Sequence, residues 1–138
     1  MKFLGIDFGL SYFGLALSEG ELAEPLTQFK ANNLSQALNR IKRICLNKNI
    51  DRIVIGLPEG KLKLQVYGFS RKLKKQIKLP IVFQEEDFTT QEGLEKMITS
   101  RKPLKKRLKM EHSVAACLIL QEYLDTMILP TKKTQKEV

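Results

Sequence analysis

The chain begins with a short apolar run that contains one carboxylate and two glycines, Phe3-Leu4-Gly5-Ile6-Asp7-Phe8-Gly9. An apolar run of this length predicts a buried strand. A charge inside a buried strand is costly without a cation, so Asp7 predicts a site on the sheet; the alternative is an aspartate hydrogen-bonded into a turn. Gly9 allows a sharp turn or the close approach of a phosphate. The run from Tyr12 to Ser18 predicts an antiparallel return strand.

The composition predicts one basic domain. A chain of 138 residues is long enough for a single core without disulfides. Its net charge of +9 favours a polyanionic partner. Cys45 and Cys117 lie far apart on apolar-periodic stretches, which predicts reduced core residues of a cytoplasmic protein. No signal-peptide pattern and no apolar run of membrane-spanning length is present, so we expect no membrane partner.

Two segments are strongly basic and contain no acid. Residues 61–78 carry seven Lys or Arg, and residues 101–109 carry six. Both are typical of surfaces that contact a phosphate backbone, with a solvated helix face as the alternative for the first. Pro103 predicts a mobile loop for the second. The predicted nucleic-acid-binding residues are Gly9, Lys72, Lys75, Arg101, Lys102, Lys105, Lys106 and Arg107.

The remaining elements follow from hydrophobic periodicity. We predict strands over 21–30, 52–57 and 79–84, and helices over 35–47, 64–76, 89–99 and 111–125. Pro25 makes the first of these strands an edge. The order predicts an α/β mixed sheet, a three-strand antiparallel meander followed by parallel strands and flanked by helices. The domain is expected to span 1–129, with a flexible basic tail over 130–138.

Five segments in register resemble the YqgF/RuvX family, whose members are ribonuclease H-like nucleases assigned to Holliday junction resolution or to pre-16S ribosomal RNA maturation. The resemblance covers most of the chain, from Lys2 to about Leu129, and implies a ribonuclease H-like fold. The segments that carry it are Gly5-Ile6-Asp7-Phe8-Gly9, Gly14-Leu15-Ala16-Leu17-Ser18, Val54-Ile55-Gly56-Leu57-Pro58, Glu85-Glu86-Asp87-Phe88-Thr89-Thr90-Gln91-Glu92 and Ala115-Ala116-Cys117-Leu118-Ile119-Leu120-Gln121-Glu122-Tyr123-Leu124.

The resemblance implies a metal site of three acids. Two of them correspond to Asp7 and Glu86, and the third falls at His112, where the family usually has aspartate. The arginine that follows the family's glutamate is Asp87 here. Hard Mg²⁺ prefers carboxylate oxygens, and imidazole is better suited to Mn²⁺, so the expected cofactor is Mg²⁺ or Mn²⁺. His112 is expected to be a ligand or a proton carrier; the alternative is a helix N-terminal residue without a metal role.

Other acids are weaker candidates for the third ligand. Glu111 adjoins His112, but one residue on a helix is a rotation of about 100°, and a first-turn acid is favoured by the helix dipole anyway. Glu59 follows a strand end and is a further candidate. Asp87 fits a turn residue better than a ligand.

These residues predict a metal-dependent endonuclease, with the 5′ end of pre-16S rRNA as the substrate that the resemblance implies. The alternatives are a resolvase acting on branched DNA, and a catalytically weakened nucleic-acid-binding protein of the same fold. An actin-like ATPase needs two related halves, for which this chain is too short, and no Gly-x-x-x-x-Gly-Lys loop is present. We expect structured RNA as the partner over branched DNA, and a monomer or weak homodimer.

Overall fold

The computed structural model describes residues 1–86, 104–128 and 136–137, with side chains described over 1–86 and 111–127. The described elements are, in chain order, β1 (Lys2–Phe8), β2 (Tyr12–Glu19), β3 (Ala23–Lys30), α1 (Leu34–Asn47), β4 (Arg52–Leu57), α2 (Leu62–Gln76), β5 (Ile81–Glu85), α3 (Leu104–Ile128) and β6 (Lys136–Glu137). Asn33 caps α1, because its side chain accepts a hydrogen bond from the Gln36 amide.

The strands form one mixed sheet in the order β3-β2-β1-β4-β5-β6. The first three strands pair antiparallel, and β1, β4 and β5 pair parallel to one another. This arrangement confirms the predicted meander followed by parallel strands. β3 lies at the edge, as Pro25 predicts, and the pairing register shifts there between Leu15 and Ala16.

The two faces of the sheet are covered differently. Helices α1 and α2 cover one face, where large apolar side chains such as Ile6, Leu15, Ile55 and Phe69 form the main core. Of the helices that the structure describes, α3 covers the other face, where it packs on a smaller cluster. Side chains alternate between the faces along each strand, so Asp7 of β1 belongs to the α3 face. The α3 face is therefore the thinner layer, and it carries the carboxylate.

The last helix is longer than the sequence pattern predicts. It begins at Leu104, seven residues before the predicted start at Glu111, so residues 104–109 are helical and not a loop. Pro103, which we took as a loop signal, immediately precedes the helix, a position that proline tolerates well. The predicted helix over 89–99, together with Arg101 and Lys102, lies outside the described residues.

The termini and cysteines bear on three further predictions. The predicted tail lies outside the described residues except at Lys136–Glu137, which pair antiparallel with β5. Cys45 and Cys117 are buried free thiols, as predicted, and burial raises their pKa values to about 12 and about 11. Among the described residues, no helix has the length and apolar character needed to cross a membrane.

Candidate active site

One row of the sheet brings the site together. Asp7 of β1 lies opposite Gly14 of β2, and Gly14 lies opposite Gln28 of β3. Helix α3 crosses this row at Gly14, where an added Cβ would overlap the His112 carbonyl and approach the Ser113 nitrogen to 2.8 Å. Because Gly14 has no side chain, the backbone of α3 packs directly against β2, between the side chains of Asp7 and Gln28.

His112 contacts both β1 and β2. Its Nδ1 lies 3.5 Å from Asp7 Oδ2, and the two side chains are 33% and 18% exposed, so both are reachable from solvent. The imidazole also stacks on Tyr12, with ring centroids 5.4 Å apart and planes within 5° of parallel. These two contacts fix the ring plane and turn Nδ1 towards the carboxylate.

Gln28 holds the backbone of α3 on the other side of Gly14. Its Oε1 accepts hydrogen bonds from the amides of His112 and Ser113, at 2.9 and 3.2 Å. A single side chain of the edge strand therefore fixes the helix at the residue that faces Asp7. This long-range contact sets the height and rotation of His112 above the sheet.

Glu86 joins the site from the end of β5. Its backbone amide donates to the Leu57 carbonyl of β4 at 3.2 Å, and its side chain is hydrogen-bonded to Asp7. Gly56 of β4 makes room for this reach, because a Cβ there would lie 2.7 Å from Glu86 Oε1 and would overlap Ile119. Two carboxyl groups thus meet over a glycine, at the carboxyl ends of parallel strands.

The electrostatics of the site reflect this crowding of acids. Burial, followed by the charge and hydrogen bond of Asp7, raises the pKa of Glu86 to about 7. The hydrogen bond to Asp7 raises the pKa of His112, with partial burial acting against it and the charges of Asp7 and Glu111 adding to it. Burial and the neighbouring Asp7 carboxylate therefore both disfavour the ionised form of Glu86.

The donor set fits a divalent cation on the two carboxylates. Two carboxylates this close repel each other when both are ionised, and a hard divalent cation relieves that repulsion. Over the ranges 1–86 and 111–127, no cluster of three His, Cys, Asp or Glu side chains has metal-ligand spacing. Asp7 and Glu86 are therefore the described carboxylates available to a metal, with His112 beside them.

The other predicted candidates are placed less closely. Glu111 is exposed, and it is not in the first turn of α3, so the helix-dipole interpretation of Glu111 and the N-terminal interpretation of His112 are wrong. Glu59 is exposed in the turn after β4. At position 9 the backbone itself favours glycine, because a Cβ there would overlap the Tyr12 carbonyl.

Five of the predicted nucleic-acid-binding residues lie on two helices, α2 and α3. Lys72 and Lys75 are exposed on α2. Lys105, Lys106 and Arg107 lie within α3, where their side chains are outside the described residues, as is Asp87.

The sequence analysis missed three residues of the site: Tyr12, Gln28 and, as a contact point for α3, Gly14. A signal was available for Gly14, because a glycine inside a strand often marks the close approach of another backbone. Gln28 could have been found from strand register, since it lies in the same row as Gly14. Tyr12 carried no local signal, because its partner His112 is distant in sequence.

The fold is that of ribonuclease H-like nucleases, and solved structures share it. A Thermus thermophilus RuvC structure superposes with a TM-score of 0.62 at 14% identity, covering 100% of both chains. A Fowlpox virus resolvase in complex with Holliday junction DNA gives a TM-score of 0.64 at 10% identity, covering 93% of this chain and 99% of that chain.

Sequence comparison specifies the family. The family described as "RuvX: Holliday junction resolvase" matches residues 1–126, and the chain belongs to this family. A candidate pre-16S rRNA nuclease of Clostridium acetobutylicum is 35% identical over 135 residues, which cover 92% of this chain and 100% of that protein. Another, of Dictyoglomus turgidum, is 31% identical over 140 residues, covering 96% and 99%. The predicted family resemblance is confirmed.

Proposed function

We propose that this protein is a metal-dependent endonuclease in which Asp7 and Glu86 hold Mg²⁺ or Mn²⁺ and His112 carries a proton. The observation that supports this most directly is geometric: Glu86 Oε1 reaches over Gly56, where an added Cβ would lie 2.7 Å from it, and His112 Nδ1 lies 3.5 Å from the carboxylate of Asp7 on the neighbouring strand. A divalent cation there supplies Lewis-acid activation of the phosphodiester and of the attacking water.

The protein's own groups have separate tasks in this proposal. Asp7 accepts from His112 Nδ1 and fixes the ring, which leaves Nε2 to exchange a proton with the attacking water or the leaving oxygen. Tyr12 holds the ring plane by stacking. Burial, followed by the charge and hydrogen bond of Asp7, raises the pKa of Glu86, and a cation held by the two carboxylates would favour the ionised form of Glu86.

For the substrate, we infer the immature 5′ end of small-subunit ribosomal RNA. The names of the relatives from Clostridium acetobutylicum and Dictyoglomus turgidum support this assignment, and it implies a cytoplasmic location. Exposed Lys72 and Lys75 on acid-free α2 suit a phosphate backbone. Four-way junction DNA is the second candidate, favoured by the family's description and by the resolvase fold. Paired junction cuts require two active sites and hence a homodimer, whereas RNA trimming needs a monomer only.

A cleavage assay tests the activity and the substrate together. Labelled precursor ribosomal RNA and a four-way DNA junction are incubated side by side with Mg²⁺, Mn²⁺ or EDTA, using wild type and Asp7→Asn. We expect metal-dependent cleavage of the RNA, reduced by about 10²–10³-fold in Asp7→Asn, since cation-mediated charge stabilisation contributes several kcal/mol. Junction cleavage alone would select the resolvase. Binding without cleavage under every metal would contradict the nuclease assignment, and cleavage with Mn²⁺ alone would make His112 a ligand.

A further inference from the structure

A cleft of about 390 Å³ opens at the end of β1, on the face of the sheet that α1 and α2 cover, opposite the face that carries Asp7. The loop after β1 forms one wall, the start of α1 forms another, and α2 forms the third. Its volume lies in the range of small-ligand sites. Its lining includes Phe8, Gly9, Phe13, Gly68, Phe69 and Lys72. The cleft therefore begins at the residue that follows Asp7.

Gly68 lies in the interior of α2 and lines this cleft without a packing reason. Glycine is the least favourable helix residue after proline. At Gly5, Gly14 and Gly56, an added Cβ would contact α3 closely, whereas at Gly68 it would meet no atom within 4 Å. Gly68 thus leaves open space in the cleft and lowers the stability of α2, and no neighbouring atom requires a glycine at this position.

The lining matches the two parts of a nucleotide. The floor contains the rings of Phe8, Phe13 and Phe69, which pack on one another with centroids 5.2 to 5.5 Å apart. Phe13 and Phe69 are buried, so a base in the cleft would meet the partly exposed ring of Phe8 and the open space at Gly68. Lys72, one helical turn after Gly68, supplies an exposed cation for the adjoining phosphate. Leu10 lies at the rim and is 75% exposed, so an apolar side chain stands free beside the site.

We propose that this cleft binds one unpaired nucleotide of the RNA substrate next to the phosphate that is cut; the inference rests on the proposed nuclease function. Consecutive Cα atoms are about 3.8 Å apart, so the Gly9 wall lies within about 8 Å of the Asp7 Cα. A strand whose scissile phosphate lies at Asp7 and Glu86 passes over Gly9 and places its neighbouring nucleotide against Gly68. A base held in a duplex is stacked on both sides and cannot enter the cleft, so the site selects single-stranded RNA.

Fluorescence anisotropy with a labelled 12-nucleotide single-stranded RNA, and with the blunt duplex of the same sequence, tests the proposal in EDTA. Gly68→Leu fills the cleft, and Lys72→Gln removes its cation. Arg71→Gln is the matched control, because it removes one charge from the adjacent exposed position of α2, which does not line the cleft. We expect Gly68→Leu to weaken single-strand binding about tenfold, with a melting temperature at or above that of wild type and unchanged duplex binding.

Lys72→Gln is expected to weaken single-strand binding more than Arg71→Gln does. Unchanged single-strand binding by a well-folded Gly68→Leu protein, or equal losses for single strand and duplex, would overturn the proposal. Because the assay contains no metal, its outcome is independent of the cleavage result. If binding depends on Gly68 but no cleavage is observed, the cleft stands as a binding site and the nuclease assignment is refuted. If cleavage is observed but binding does not depend on Gly68, the nuclease assignment stands and the cleft proposal is refuted.

Discussion

The two faces of the sheet carry the same strands but different residues. On the α1 and α2 face, neighbouring strands contribute large side chains such as Ile6, Leu15 and Ile55, all fully buried. On the α3 face, the same strands contribute Asp7, Gly14 and Gly56. The first face carries the larger cluster of buried apolar side chains, and burial of apolar surface stabilises the fold. On the second face, Gly14 and Gly56 have no side chains, so α3 lies close to the sheet and the carboxyl groups of Asp7 and Glu86 approach each other.

This difference implies that stability and the chemistry at the carboxylates are separable by face. Adjacent residues of one strand point to opposite faces, so a pair of neighbouring substitutions can test each property alone. Gly14 and Leu15 of β2 form such a pair, and a failure to separate the two properties would contradict the comparison.

The largest effect is expected for Gly14→Ala. The added Cβ overlaps the His112 carbonyl, so α3 must move at the residue that faces Asp7. A displacement of about 1 Å near the chemistry can cost about 10²-fold in rate, and we expect a loss of cleavage of that size. Rate measurements on protein whose circular dichroism matches wild type provide the check.

The matched control is Leu15→Ala on the opposite face. Leu15 is fully buried, so its truncation is expected to cost about 2–5 kcal/mol of unfolding free energy. Well below the melting temperature, its cleavage rate should stay within a few-fold of wild type. If Leu15→Ala reduced cleavage as strongly as Gly14→Ala, the two faces would not be functionally distinct.

An intermediate effect is expected for Glu86→Gln in the metal-free protein. Folding raises the pKa of Glu86 from its ordinary value of 4.5 to about 7, so deprotonation destabilises the fold as pH rises between these values. After a discount for partial exposure, the penalty above pH 7 is on the order of 2 kcal/mol. Gln keeps a donor to Asp7 without the charge.

Thermal melts in EDTA at pH 4 and pH 8 measure this penalty. Glu86→Gln should melt higher than wild type at pH 8 and close to wild type at pH 4, where the glutamate is protonated in both states. A variant that is equally or less stable than wild type at pH 8 would show that the carboxyl pair carries no strain.

The smallest effect is expected for Gln28→Leu. Its loss leaves the amides of His112 and Ser113 without their side-chain acceptor, which is expected to cost about 1–2 kcal/mol of stability and several-fold in cleavage rate. Gln121→Leu is the control, because the Gln121 side chain accepts from the Ala23 amide and ties the same helix to β3 away from the site. Equal losses of cleavage in both variants would reduce Gln28 to a structural contact.

Local patterns predicted the layout of the fold, because periodicity and β-branched runs specify α1 and β4 within one residue. The start of α3 was predicted wrongly, since Pro103 was weighed as a loop signal although it also fits a helix start. The meeting of Asp7 with Glu86 followed from strand ends and from the family resemblance. The contacts of Gln28, Tyr12 and Gly14 with α3 could not be predicted, because they join residues about 85 to 100 positions apart and depend on the height of the helix above the sheet.

Cation binding by the carboxyl pair is the central claim, and calorimetric titration with Mn²⁺ tests it without any substrate. Wild type, Asp7→Asn and Glu86→Gln are compared with Asp125→Asn, which changes an exposed carboxylate far along α3. We expect Asp125→Asn to bind Mn²⁺ as wild type does, and both site variants to bind it at least about tenfold more weakly. Equal Mn²⁺ affinity in wild type and a folded Asp7→Asn protein would contradict the central claim.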